Sequence, residues 1–119
     1  MQNQKSALGL DANIAGLIGW IIGIVAVVLV FIEKDNKFVR FHAIQSVIYH
    51  LGFVVVYIAF SIIVLILSQI SSVLGFLGIL FIPIWLIWMG GMIFGAIKAY
   101  QGSMFKFPII GNMAEKWSN

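Results

Sequence analysis

The sequence predicts an all-α membrane protein, a bundle of about three transmembrane helices plus a C-terminal amphipathic helix at the membrane interface. Three observations predict it. The chain has 119 residues, of which 62% are hydrophobic and 9% charged, more apolar surface than a soluble domain of that size can hide. Its Asp, Glu, Lys and Arg residues leave two long gaps, 12–32 and 41–97. Its last segment carries apolar residues at helical spacing.

The first gap fits one span of about 20 residues. It is too long for a signal-peptide apolar region, the first ten residues hold only Lys5 as a charge, and no small-residue cleavage site follows, so it reads as a retained span. The second gap would be about 85 Å long as one helix, against a hydrocarbon core of about 30 Å, and must fold back. Ser68, Gln69, Ser71, Ser72 and Gly75 place the break in SQISSVLG, 68–75. The expected spans are therefore 12–32, 42–67 and 74–97, within a single transmembrane domain, 1–119. Pro83 should kink the third span, because it lacks a donor and crowds the preceding turn. Trp85 and Trp88 then fall mid-span, which requires either a shifted span or rings packed inside the bundle.

Gln101-Gly102-Ser103 ends the third helix, and Pro108 suits the first turn of another. Ile109, Ile110, Met113, Ala114 and Trp117 share one face of this expected interfacial helix, 108–117.

Six of the seven Lys and Arg residues lie in the first connection (Lys34, Lys37, Arg40) and the tail (Lys98, Lys106, Lys116). With three spans these segments share a side, and the positive-inside bias makes that side cytoplasmic. The expectation is a multi-pass protein of the plasma membrane with its N-terminus outside and its C-terminus in the cytoplasm. The net charge of +3 flanks apolar spans, so the expected partners are the lipid bilayer and anionic lipid headgroups, not nucleic acid. Lys34, Lys37, Arg40, Lys98, Lys106 and Trp117 are the candidate interfacial anchors. Glu33 and Asp35, among these lysines, read as a solvated turn.

Two stripes of small residues mark helix packing: Gly16, Gly19 and Gly23 in the first span, Gly91, Gly95 and Ala99 in the third. Gly19 and Gly23 form a GxxxG pair. Small faces let helices approach closely in lipid, either within one chain or between copies in a homo-oligomer.

The second span opens on FVRFHAIQSVIYH, 38–50, polar for so apolar a chain. At 100° per residue His42, Gln45, Ser46, Tyr49, His50 and Tyr57 fall on one side, which should face protein or water rather than lipid. These residues are interhelical hydrogen-bond glue, the lining of a cytoplasm-facing vestibule, or a cofactor seat. A neutral His50 needs a partner for its ring N–H; Asn13, Tyr49, Tyr57 and groups of the tail are candidates. No acidic residue lies within a span, no cysteine is present, and no nucleophile triad, phosphate loop or metal-ligand spacing occurs. No catalytic, cofactor-binding or metal-binding residue is therefore assigned, no cofactor is expected, and the chain does not read as an enzyme.

Two blocks go beyond such physics: EKDNKFVRFHAIQSV, 33–47, and KAYQGSMFKFPIIGNMAE, 98–115. With GLDANIAGLIGWIIG, 9–23, the chain resembles the small prokaryotic membrane proteins related to the chloroplast inner-envelope import component of the Tic translocon. That resemblance covers nearly the whole chain. It implies an all-helical membrane fold and a role at a scaffold or protein-conducting site. The leading expectation is a non-enzymatic scaffold or translocation-related subunit, a homo-oligomer or part of a membrane complex. The alternative is an oligomeric small channel or transporter for ions or small solutes, motivated by the polar stripe and Pro83.

Overall fold

The computed structural model describes residues 5–118, all helical apart from short connections. Five α-helices follow in order: α1 (Ala12–Ile21), α2 (Gly23–Ile32), α3 (Lys37–Ile70), α4 (Phe81–Tyr100) and α5 (Ile110–Ser118). A 3₁₀ segment, Ser72–Leu80, leads directly into α4. The all-α fold and its long apolar helices are as the composition demands.

The first apolar stretch differs from expectation. It is not one span over 12–32 but two ten-residue helices separated at Ile22, whose backbone is extended (φ −113°, ψ 99°). The two helices fold back on each other. A Cβ placed on Gly19 would touch Leu29 at 3.6 Å and Ala26 at 3.9 Å, contacts a straight helix could not make. Ala12 and Ala15 of α1 share a core with Leu29 of α2 and with Phe38, Val39 and Ala43 of α3. Isoleucines at 21 and 22 followed by Gly23 are weak helix formers, so the local cost of the break is small. Gly19 and Gly23 therefore do not form one face of a packing helix. Gly19 closes the hairpin, and Gly23 starts its second arm.

The hairpin also overturns the expected placement of the N-terminal segment. The Ala7 N–H donates to Glu33 Oε1 at 2.7 Å, so residues 5–11 lie beside the first connection rather than across the bundle from it. Glu33 is not in a solvated turn. It is buried, accepts that bond, and accepts another from the Asn36 N–H at 3.3 Å. Asn36 caps α3, its side-chain oxygen accepting from the Val39 N–H at 3.2 Å.

α3 and the 3₁₀–α4 unit form the long hairpin of the molecule. They turn at Ser71, inside the expected SQISSVLG, and are longer than the spans drawn at 42–67 and 74–97. Pro83 falls in the first turn of α4, where a missing N–H costs nothing, and so marks the passage from 3₁₀ to α geometry rather than a mid-helix kink. Trp85 and Trp88 are accordingly near the start of α4.

The core occupies one end of a molecule measuring 56 × 23 × 21 Å. The buried residues of α3 run from Phe38 to Tyr49, those of α4 from Met92 to Ala99, and the 3₁₀ segment has none. α1 lies between α3 and α4, α2 lies on α3, and α5 packs on the first turns of α3, with Ala114 against Phe41 and Ile44. The face of α5 differs from expectation. Gly111, Ala114 and Ser118 are buried, while Ile109 and Trp117 are exposed. Ala114 lets α5 approach α3 closely, Gly111 makes room for Lys106, Ile110 packs half-buried on the core, and Trp117 stays outside.

This arrangement predicts the outcome of cysteine labelling, since the chain has no native thiol. In membrane vesicles Leu8→Cys and Asn112→Cys should react with an impermeant maleimide from one side and Ser71→Cys from the other. Labelling of Leu8→Cys and Ser71→Cys from a common side would restore a single first span.

Candidate functional site

The polar stripe of α3 meets the break between α1 and α2. A helix ending among apolar groups leaves carbonyls without intrahelical donors. Ser46 Oγ donates to the Gly19 carbonyl at 2.8 Å, and His50 Nε2 donates to the Trp20 carbonyl at 3.0 Å. The sequence of α3 thus caps a different helix, at its last turn.

Each histidine is paired with a tryptophan. The Trp20 indole N–H donates to His42 Nδ1 at 3.0 Å, and the Trp88 indole N–H donates to His50 Nδ1 at 3.0 Å. An indole can only donate, so Nδ1 is the acceptor in both rings and the proton sits on Nε2. His42 Nε2 then donates to the Ser103 carbonyl at 2.7 Å. Both rings are neutral in this network, because each uses one nitrogen as acceptor and the other as donor. The tryptophans absent from the predicted site are half of it.

Gln45 grips the tail. Its Nε2 donates to the Phe105 carbonyl at 3.0 Å and its Oε1 accepts from the Phe107 N–H at 2.8 Å, replacing the pairing an extended segment would find in a sheet. With His42 on Ser103, residues 103–107 are strapped across α3. The Tyr49 hydroxyl reaches α4, donating toward the carbonyls of Trp88 (2.8 Å) and Ile87 (3.2 Å). Among the described residues no buried side-chain nitrogen or oxygen lacks a partner.

Tyr57 does not join this group. It lies two turns further out, exposed, with its ring against Phe81 at 5.2 Å. Asn13, a candidate partner for His50, instead donates to the Tyr100 carbonyl at 3.1 Å and ties α1 to the end of α4.

The small residues make this closeness possible. A Cβ on Gly16 would meet Ala99 at 3.0 Å, which brings α1 against α4. On Gly95 it would lie 2.6 Å from the Trp20 ring, and on Gly91 it would collide with the Tyr49 hydroxyl. The α4 stripe of Gly91, Gly95 and Ala99 is therefore used inside the chain, against α1 and α3. Gly23 is looser, with His50 3.9 Å from its Cβ position.

The candidate anchors do several different things. Lys34 and Lys37 are exposed. Arg40 Nη1 donates to the Val30 (2.8 Å) and Glu33 (3.0 Å) carbonyls, capping α2 and complementing the negative end of its dipole. Lys98 lies over the Phe94 ring, Lys106 pairs with Glu115 at 2.7 Å, and Trp117 is half-exposed.

Beyond the network, a cavity of about 650 Å³ opens between α3 and α4, with His50 and Trp88 at its edge and Phe53, Tyr57, Phe81 and Trp85 among its walls. Both nitrogens of His50 are already engaged, so the site offers this space an apolar surface. No group of three or more His, Cys, Asp or Glu side chains converges among the described residues.

Residues 3–114 match the magnetosome magnetite crystal formation protein family. Two curated relatives from Methanocaldococcus jannaschii, each named a UPF0132 membrane protein, are 36% identical to the chain. The match to one covers 96% of this chain and 94% of the relative, and to the other 93% and 73%. A UPF0132 membrane protein from Archaeoglobus fulgidus is 34% identical over 87% of this chain and 92% of its own length. No solved structure matches.

Gln45→Leu should destabilise the fold strongly, because it strands the Phe105 carbonyl and the Phe107 N–H at about 1–3 kcal/mol each. Tyr57→Phe should change stability by less than about 0.5 kcal/mol. Thermal unfolding in detergent, followed by tryptophan fluorescence, checks both. An equal loss for the two would mean that the strap carries no stability.

Proposed function

We propose that this chain, which belongs to the magnetosome magnetite crystal formation protein family, is a non-enzymatic membrane scaffold that works by assembling with copies of itself or with a membrane partner. The observation that carries this reading is the division of the molecule. At one end the polar stripe is spent on backbone carbonyls and amides, which makes a fixed base. At the other, residues 51–90 of α3, the 3₁₀ segment and α4 present exposed apolar side chains, Val55, Ile66, Ile70, Val73 and Ile87 among them.

Pairing of such helices in lipid comes from close packing rather than from a hydrophobic force, so a bare helical hairpin is a surface for another helical hairpin. The basic residues fix the orientation in this reading. Lys5, Lys34, Lys37, Arg40, Lys98, Lys106 and Lys116 all belong to the base, so the base faces the cytoplasm and α3 and α4 cross the plasma membrane. A translocation-related role draws its support from the resemblance of the 33–47 and 98–115 blocks, and stands behind the plain scaffold. A solute channel would need the α3 stripe to face water, and the hydrogen bonds of that stripe speak for the scaffold instead.

Single cysteines at Val55 and Ile87 test the proposal. Oxidative crosslinking in native membranes should give a dimer or one discrete larger species for at least one of them. Monomer alone for both variants, at normal expression, would overturn it.

A further inference from the structure

A second cavity, of about 360 Å³, lies at the base between the end of α2, the start of α3 and the last turn of α5. It is lined by Val30, Phe31, Lys34, Arg40 and Ser118. Its volume is within the range of small-ligand sites, about 300–1,000 Å³. Two of its five lining residues are cations, in a chain with only seven Lys and Arg in all.

Neither cation is neutralised by a carboxylate among the described residues. The ion pairs there are Lys5 with Asp11 and Lys106 with Glu115. Glu33, next to Lys34 in sequence, turns its carboxylate to the Ala7 and Asn36 amides. Arg40 is held in place through Nη1 alone, by the carbonyls of Val30 and Glu33. Its remaining donors, Nη2 and Nε, have no acceptor among the described residues. A guanidinium fixed by one nitrogen and open along its other edge is preorganised for an oxyanion. Lys34 adds a mobile point charge. Phe31, 74% exposed, continues the wall as bare apolar surface.

We propose that this cavity binds a phosphate ester, with Arg40 as the fixed contact and Lys34 as the second cation. The apolar wall at Phe31 and Val30 fits a phosphate that carries a hydrocarbon chain, as an anionic phospholipid headgroup does. A free phosphate would use the same two cations without that wall. The inference does not depend on the scaffold reading, since a monomer carries the whole site.

Native mass spectrometry of the full chain in detergent, titrated separately with phosphatidylglycerol and inorganic phosphate, tests it. One phosphatidylglycerol should bind, about tenfold more weakly to Lys34→Gln, as loss of one charge-assisted contact implies. Lys34 is exposed and has no ion pair or side-chain hydrogen bond among the described residues, so this variant should stay folded where Arg40→Gln would also uncap α2. Lys98→Gln, which removes an equal charge elsewhere, should bind as the wild type does. Binding of lipid but not inorganic phosphate assigns the site to headgroups, and binding of both with the same Lys34 dependence assigns it to phosphates in general. Absence of both ligands, or equal affinity in wild type and Lys34→Gln, or equal weakening in Lys98→Gln, would overturn the proposal.

Discussion

The interruption at Ile22 is the constraint around which the rest of the molecule is arranged. Breaking a helix among apolar side chains exposes carbonyls that water cannot reach, and each unsatisfied group there costs several kcal/mol. Ile22 itself bonds back to Ile18, and the next two carbonyls, of Gly19 and Trp20, are taken by Ser46 and His50. These donors stand four residues apart, one turn of α3, so a single face of that helix serves consecutive residues of the broken end. The break then places Trp20 at full burial, where its indole N–H must also find an acceptor. His42 supplies it, one turn below Ser46, and passes a bond on to the tail at Ser103. The stripe is therefore a ladder of caps, and its polar character follows from the irregular backbone it serves.

Close approach is the second condition, and it explains why the stripe and the small residues belong together. Tyr49 reaches the α4 carbonyls because Gly91 leaves room for its ring, and Trp20 turns its edge to His42 because Gly95 leaves room on its other side. A larger residue at either glycine would separate α1 or α3 from α4 and lengthen the bonds that satisfy the interior. Packing and polar satisfaction are in this way one requirement, as expected where dispersion and hydrogen bonds replace the hydrophobic effect as the cause of helix association.

The sequence made part of this legible. Composition and charge gaps are properties of whole segments, and they locate the long helices, the turn at Ser71 and the inward face of α3 from His42 to His50. What they could not reveal is a break without a polar signal. GLIGWIIGIVAVV has the length and hydropathy of a full span, and its glycines serve equally well as a packing face or as a hairpin. The one cue lay elsewhere, in Ser46 and His50, whose partners had to be somewhere among apolar helices. Glu33 misled for the same reason: its burial depends on the N-terminal segment returning to it, which only the hairpin brings about. The 33–47 and 98–115 blocks, read as likeness to an import component, are the pieces that build the strap and the caps. The family match over residues 3–114 takes in both blocks and does not show the likeness to the import component.

The dimensions of the molecule bear on how it sits in a bilayer. Exposed apolar side chains run from Phe31 at the base to Ile70 and Val73 at the outer turn, along an axis of 56 Å. α3 alone, with 34 residues, is about 51 Å long. A hydrocarbon core of about 30 Å, crossed at a tilt of up to about 40°, covers about 39 Å of helix. No single upright or tilted placement of one copy therefore shields both the apolar flank of α2 and the outer turn. In such a placement the interfacial layers on either side of the core, about 40–45 Å thick together with it, would meet the remainder, with the polar turn at Ser71 at one end and the basic base at the other. Strapped by Gln45 and capped by Ser46 and His50, the base holds α3 and α4 at a fixed spacing where they leave it.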